Sequence, residues 1–381
     1  MYKFVMPEVI FGSGSIYQAG ECCKRLGARH VLVVTDRGVM DAGWTDPVLE
    51  SCRKAGLAAT LFHEVSVNPT DVEAAACAET YKESGCDAII AVGGGSAIDS
   101  GKAAAALVAN GGHIRDYEGV DRILSPLPPL VMVPTTAGSG SEVSQFSVIV
   151  DSVRQKKMTI VSKSLVPDIA VIDPDVLATK SARLTATTGL DVITHAIESF
   201  VSIAATPMTD VQAKNALALA ARFLRPSVAS KYNKEAKEKM AMASLQAGLA
   251  FSNAILGAAH AMSHTIGGRF PFLHGDINAV LLPHVMEFNL IACPEKFREV
   301  ALLMGENVTR LSDREAGEKA IQSVKKLAVD IGAPLTLAEM GFHASAIPEI
   351  SEIALTDACM ITNPRDISAA EVAALLTRAL A

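Results

Sequence analysis

Up to Asp173-Pro174 the chain alternates short, unbroken apolar runs with stretches of helical pattern, and nothing else in it constrains the fold as strongly. The runs at 30–35 (H-V-L-V-V-T), 59–62, 88–92 and 130–133 carry little polar alternation, so both faces of each strand must be covered, as in a parallel sheet. Between them 46–55, 70–84 and 96–110 read as helices, with Thr70 as a candidate N-cap. This βαβα order predicts a doubly wound α/β sheet. Segments 145–150 and 157–161 read as a hairpin, and 169–172 as a last strand. From about residue 185 onward alanine- and leucine-rich helical patterns take over. At 381 residues the chain exceeds what one core usually supports. Two domains are therefore expected, an α/β domain over 1–182 and an all-helical one over 183–381.

A net charge of −7, from 34 basic and 41 acidic residues, argues against a nucleic-acid partner. The seven cysteines include no CxxC pair, which fits reduced thiols in a cytoplasm. Pro7 and Glu8 interrupt the apolar start, so it does not read as a signal peptide. The least polar long window, 245–262, contains Gln246, Asn253 and His260, and is expected to be a buried core helix rather than a membrane span.

Gly93-Gly94-Gly95-Ser96 lies between an expected strand and helix. Glycines let backbone approach a phosphate without a Cβ clash, and the N–H groups of the following helix attract anions. Thr135-Thr136-Ala137-Gly138-Ser139 follows a second strand of the same sheet with small residues and hydroxyls, and could line the same crevice. Asp36 ends the first full strand, where a carboxylate can accept from a ribose hydroxyl and repel a 2′-phosphate; a turn cap would use the same carboxylate. Asn68-Pro69 reads equally as a plain turn. The glycines of G-S-G-S-I-Y at 12–17 imitate a dinucleotide fingerprint, but Tyr17 stands where the third glycine belongs, and an ordinary turn is expected.

Further on, Asp191 and His195 lie one helical turn apart, as do His260 and His264, and His274 follows closely. Five metal-capable groups in otherwise apolar helices are costly to bury without a common partner. Three imidazoles and one carboxylate suit a divalent metal, and the spacing leaves open whether His264 or His274 completes the set.

Four motifs stand in order: G-G-G-S-A-I-D-S-G-K-A, P-T-T-A-G-S-G-S-E-V, A-T-T-G-L-D-V-I-T-H-A-I-E and H-A-M-S-H-T-I-G-G followed by H-G, with T-N-P-R at 362–365. Together they resemble the iron-dependent (type III) alcohol dehydrogenases over essentially the whole chain. The resemblance implies an N-terminal nucleotide-binding domain and a helical metal-binding domain, with Asp191, His195, His260 and His274 as ligands. It implies His264 beside a nicotinamide, where it would exchange a proton. It further implies that Asp36 and Asn68 serve the adenosine side of NAD and that Gly94, Gly95 and Ser96 serve the pyrophosphate. Asp99, Thr135, Thr136, Ser139, Val148 and Lys157 fall at other cofactor-binding positions. Ala97-Ile98 departs from the Pro-His or Pro-Gln of many diol-oxidising members and argues against a diol substrate.

The expected activity is an NAD(H)-linked interconversion of a short primary alcohol or diol with its aldehyde, using Fe2+, with Zn2+ as the competing ion. Phe251, Ile255, Phe270 and Phe272 flank the metal segments and are expected to restrict the substrate to small molecules. A cytoplasmic homo-oligomer, a dimer or a multiple of it, with no membrane partner is expected. Arg269, the one formal positive charge between 245 and 274, leaves room for a small anionic aldehyde, sulfonated or phosphonated. The same motifs would also suit a glycerol-dehydrogenase-like or dehydroquinate-synthase-like enzyme of the same fold, or a non-catalytic metal- or nucleotide-binding protein.

Overall fold

A computed structural model describes residues 3–154 and 156–381. They form two compact units, Val5–Thr179 and Lys180–Ala381. The first carries strands β1 (Glu8–Phe11), β2 (His30–Val34), β3 (Ala58–Phe62), β4 (Ala88–Gly93), β5 (Gly119–Val120), β6 (Leu130–Pro134), β7 (Phe146–Asp151), β8 (Lys156–Val161) and β9 (Ile169–Ile172). Six of them make one sheet in the order β1-β9-β6-β4-β2-β3, with every pair parallel. The chain runs outward from β2 to β3, returns to β4, and runs outward the other way through β6 and β9. Its direction reverses between β2 and β4, the place where α/β sheets open a crevice at their carboxyl ends.

Burial accounts for that order. Every residue of β4 and β6 is buried, whereas β3 and β1 are half exposed at the edges. Burying Ile89, Ile90 and Val92 contributes about 1.5–3 kcal/mol each, so β4 is held at the centre. β1 lies outside the strands expected from pattern. Its four residues are placed by parallel pairing with β9, and backbone pairing leaves no periodic trace in the sequence. The expected hairpin forms as β7 and β8, antiparallel from Phe146↔Val161 to Asp151↔Lys156, and joins β5 in a second small sheet. Thr70 caps the helix Asp71–Glu83 in a reciprocal box with Glu73. At 12–17 the chain makes a turn, Gly14 adopting φ 78° before a short 3-10 segment.

Among the described residues the second unit contains helices and no strand. Helix Pro207–Ala229 buries Ala213, Ala216, Leu217, Ala220 and Leu224, the 3–4 spacing of an amphipathic face. It packs on helix Ala182–Val201 so closely that a Cβ on Gly189 would sit 2.1 Å from the Leu224 side chain. The window 245–262 is buried as expected, but it is two helices rather than one. Lys234–Ala254 ends and Ala258–Arg269 begins after a bend of 100°. At the bend Ile255 takes φ 60°, a backbone region that a β-branched residue rarely enters. No single helix among the described residues is long and apolar enough to cross a membrane.

Candidate functional site

Three helices of the second unit supply the metal-capable side chains. Ala182–Val201 carries Asp191 and His195, Ala258–Arg269 carries His260 and His264, and His274 is the first residue of His274–Asn289. The Asp191 carboxylate is their meeting point. Its Oδ1 lies 4.0 Å from Nε2 of His195, 3.6 Å from Nε2 of His260 and 3.9 Å from Nε2 of His274. Tetrahedral ligand atoms about 2.1 Å from an ion are about 3.4 Å apart, so this spacing fits a divalent cation with nitrogen and oxygen ligands. Asp191, His195 and His260 are buried, and His274 is partly open. Burial opposes the Asp191 charge, yet His195, His274 and His260 hold its carboxyl well below the usual range. For His260 burial likewise opposes charge, but Asp191 and Glu198 lift the imidazole to about 9.

His264 is turned to a different partner. Its Nδ1 lies 2.9 Å from Oδ2 of Asp357, and its ring stacks on His274 with centroids 5.3 Å apart. Asp357 accepts the backbone N–H of Cys359 as well, and its carboxyl is lowered by His264 against the cost of burial. The choice that spacing left open is therefore resolved in geometry, since the Nε2 atom of His274, not a nitrogen of His264, lies beside Asp191.

Each imidazole near Asp191 is braced from behind. Glu198, one turn beyond His195, takes the Nδ1 hydrogen bond of His260 at 2.6 Å and accepts the backbone N–H of Ala259 at 2.7 Å. It thus orients the ring and caps the helix that bears it. Ser263 lies 2.9 Å from Nδ1 of His274, and His195 stacks between Phe251 and His260. Asn278, one turn after His274, donates to Asp191 at 2.8 Å. Thr187 and Arg183 hold Asp276, fastening the start of the third helix to the first. A Cβ on Gly275 would lie 2.2 Å from the Thr187 carbonyl, so the H-G pair needs its glycine. T-N-P-R reaches the same region. Thr362 donates to the Leu256 carbonyl and Asn363 accepts from Ala258, which ties down the bend before His260.

In the first unit the expected nucleotide residues gather at the carboxyl ends of three adjacent strands, β2, β4 and β6. Gly94 is the N-cap of helix Gly95–Asn110 and no side chain caps that end, which leaves a helix N-terminus suited to an anion. A Cβ on Gly94 would meet Thr136 at 3.4 Å and one on Gly95 would meet Ser139 at 3.0 Å, so side chains there would fill the cradle. Thr135 is fully buried and its hydroxyl has no protein partner. Ser96 opens the helix, and Asp36 caps the short helix after β2 through Val39 while its other oxygen faces Gly93. Asn68 sits beside the second sheet. The neighbouring Pro69 carbonyl accepts from Val150, two residues past Val148 and paired with Lys157.

Asp99 turns inward. Its carboxylate accepts from Ser141 Oγ and from Val148 N–H, fastening the loop after β6 and the strand β7 to the glycine-turn helix. Lys102, one turn on and fully buried, donates to the carbonyls of Ser141, Ser144 and Phe146. Burial lowers Lys102 to about 8 and raises Glu142 to about 7. These ties shape the loop from behind.

Other side chains are engaged elsewhere. Arg269 forms an ion pair with the exposed Glu349. Phe270 packs on Phe272 and Phe342, while Phe251 lies against His195. Glu198 and Asn278 were overlooked from sequence although each stands a helical turn from a singled-out histidine. Asp357, 93 residues from His264, left no local signal.

Comparison with known proteins agrees with this arrangement. Residues 7–174 match the family described as iron-containing alcohol dehydrogenase, and 185–380 match its C-terminal domain. The chain is 42% identical to a 1,3-propanediol dehydrogenase of Klebsiella pneumoniae, covering 100% of this chain and 99% of that one. It is 38% identical to an NAD-dependent methanol dehydrogenase of Bacillus methanolicus over 99% of both. A crystal structure of 1,3-propanediol oxidoreductase superposes with a TM-score of 0.98 at 42% identity, covering 100% of each chain. The chain is an oxidoreductase, and it belongs to the iron-containing alcohol dehydrogenase family.

Proposed function

We propose that this protein interconverts a short primary alcohol or diol and its aldehyde, using NAD(H) and Fe2+ held by Asp191, His195, His260 and His274. The observation that carries the reading is the approach of three imidazole Nε2 atoms to one carboxylate oxygen, within 3.6–4.0 Å. The ion supplies Lewis-acid polarisation of the substrate oxygen and the nicotinamide accepts or donates the hydride. The chain's own residues do the rest. Glu198 and Ser263 keep the Nε2 lone pairs of His260 and His274 turned toward Asp191. Asp357 engages Nδ1 of His264, so Nε2 is the atom that takes up or releases a proton. Gly94, Gly95 and Ser96 receive the pyrophosphate, Asp36 and Asn68 the adenosine side, and Thr135, Thr136, Ser139, Val148 and Lys157 further parts of NAD.

Ala97 and Ile98 are fully buried, so their departure from the diol-oxidising pattern faces the core and does not weigh against a diol. The 1,3-propanediol and methanol dehydrogenase relatives support small neutral substrates. Zn2+ is the competing ion, since nitrogen ligands generally bind it more tightly than Fe2+. All seven cysteines are free and buried, which supports a reducing, cytoplasmic setting, and a homo-oligomer is the expected assembly. The test is anaerobic NAD+ reduction with C2 to C4 alcohols and diols by metal-stripped protein given back Fe2+ or Zn2+. No turnover with either ion would overturn the reading.

The second reading, a reductase of anionic aldehydes, relies on Arg269. Its pairing with Glu349 favours the neutral substrate. A sulfonated aldehyde outperforming its neutral isostere, with that advantage erased in Arg269→Ala, would reverse the choice.

A further inference from the structure

Asn278 is fully buried, and its carboxamide faces the ligand set. Nδ2 lies 2.8 Å from Oδ1 of Asp191, 3.1 Å from Nε2 of His260 and 3.1 Å from Nε2 of His274. An amide nitrogen has two protons, so three acceptors compete for them. The other end of the group, Oδ1, is buried without a hydrogen-bond partner. The amide is thus turned so that its donors meet the lone pairs of the expected metal ligands, at the cost of an unsatisfied oxygen.

A lone pair on an imidazole nitrogen cannot accept from Asn278 and bind a cation at once. We propose that Asn278 is a latch for the metal-free state of this centre. Its N–H groups occupy the imidazole lone pairs of His260 and His274 and hold them against Asp191 while no ion is bound. Metal binding displaces the amide from both rings. Burying Asp191 among three imidazoles with neither ion nor donor would leave polar groups unsatisfied, and the latch meets that need. The inference rests on the metal reading above and adds a residue that acts on its metal-free form.

The experiment compares wild type with Asn278→Leu, which keeps much of the volume but removes both donors, and with Asn278→Ala. Thermal midpoints are measured for metal-stripped and Zn2+-loaded protein, and Zn2+ affinity by chelator competition, with Fe2+ repeated anaerobically. The expected result is a larger loss of midpoint in the stripped form than in the loaded form for both variants. By linkage, Zn2+ then binds about three- to tenfold more tightly than to wild type, as expected for the loss of one or two hydrogen bonds made only without the ion. Equal losses in both forms with unchanged affinity would make Asn278 merely structural and overturn the latch. A larger loss in the loaded form with weakened affinity would assign it to the loaded centre and overturn the latch equally. Wild type that binds neither ion would overturn the metal reading itself.

Discussion

Glu198 and His260 form a unit in which one carboxylate holds both a ring and the helix that carries it. The ring bond is 2.6 Å and the bond from the Ala259 N–H is 2.7 Å. Gly257 is needed for this approach, because a Cβ there would lie 2.9 Å from the carboxylate. Losing such a brace typically lowers metal affinity by about 10- to 100-fold. Glu198→Ala should do so, while Glu198→Gln, which keeps an acceptor oxygen, should lose less. Metal affinity by chelator competition is the measurement, and unchanged affinity in Glu198→Ala would remove Glu198 from the site.

His264 and His274 stack on each other but should separate in function. His274→Ala should strip metal and abolish turnover, because its Nε2 faces Asp191. His264→Ala should keep metal and lose rate, with general acid–base contributions of about 10²–10⁴-fold as the scale. Asp357→Asn should follow His264→Ala in direction and fall short of it in size. Elemental analysis beside kcat decides the matter, and metal lost from His264→Ala but retained in His274→Ala would reverse the two roles.

Asp36 both caps a helix and faces the glycine turn, so its two duties need separate variants. Asp36→Ser retains a capping oxygen and removes the charge that repels a 2′-phosphate. The preference for NADH over NADPH should narrow in this variant, chiefly through KM, with little change in thermal midpoint. Asp36→Ala should narrow it as well and also lose about 1 kcal/mol from the missing cap. Equal kcat/KM for the two cofactors in wild type would defeat this prediction.

Buried Glu142 makes the first unit sensitive to pH. Burial raises its carboxyl from 4.5 to about 7, opposed by its own backbone N–H and by Lys102. The folded chain therefore binds more protons than the unfolded chain between those values. This contribution to stability is full below about 4.5 and is lost as pH rises through about 7. Glu142→Gln resembles the protonated form at every pH. The midpoint of wild type minus that of Glu142→Gln should fall between pH 5 and pH 8, and a constant difference would show that Glu142 does not titrate there.

The alternation of buried runs and helical patterns was enough to place the parallel sheet and the change to helices, because both depend on local periodicity. His260, His264 and His274 stood out for a related reason, as polar groups crowded into one apolar stretch. Helical spacing likewise put Asp191 and His195 on one face. What local pattern could not decide was which nitrogen meets which oxygen. That required the bend at Ile255, the glycine at 275 and the cap from Glu198, which together bring His260 and His274 to Asp191 and leave His264 to Asp357. The edge strand β1 was equally hidden, since its partner β9 lies far along the chain. Periodicity records which face of an element is buried, whereas ligand choice and edge pairing depend on contacts between distant segments, and those exist only once the chain has folded.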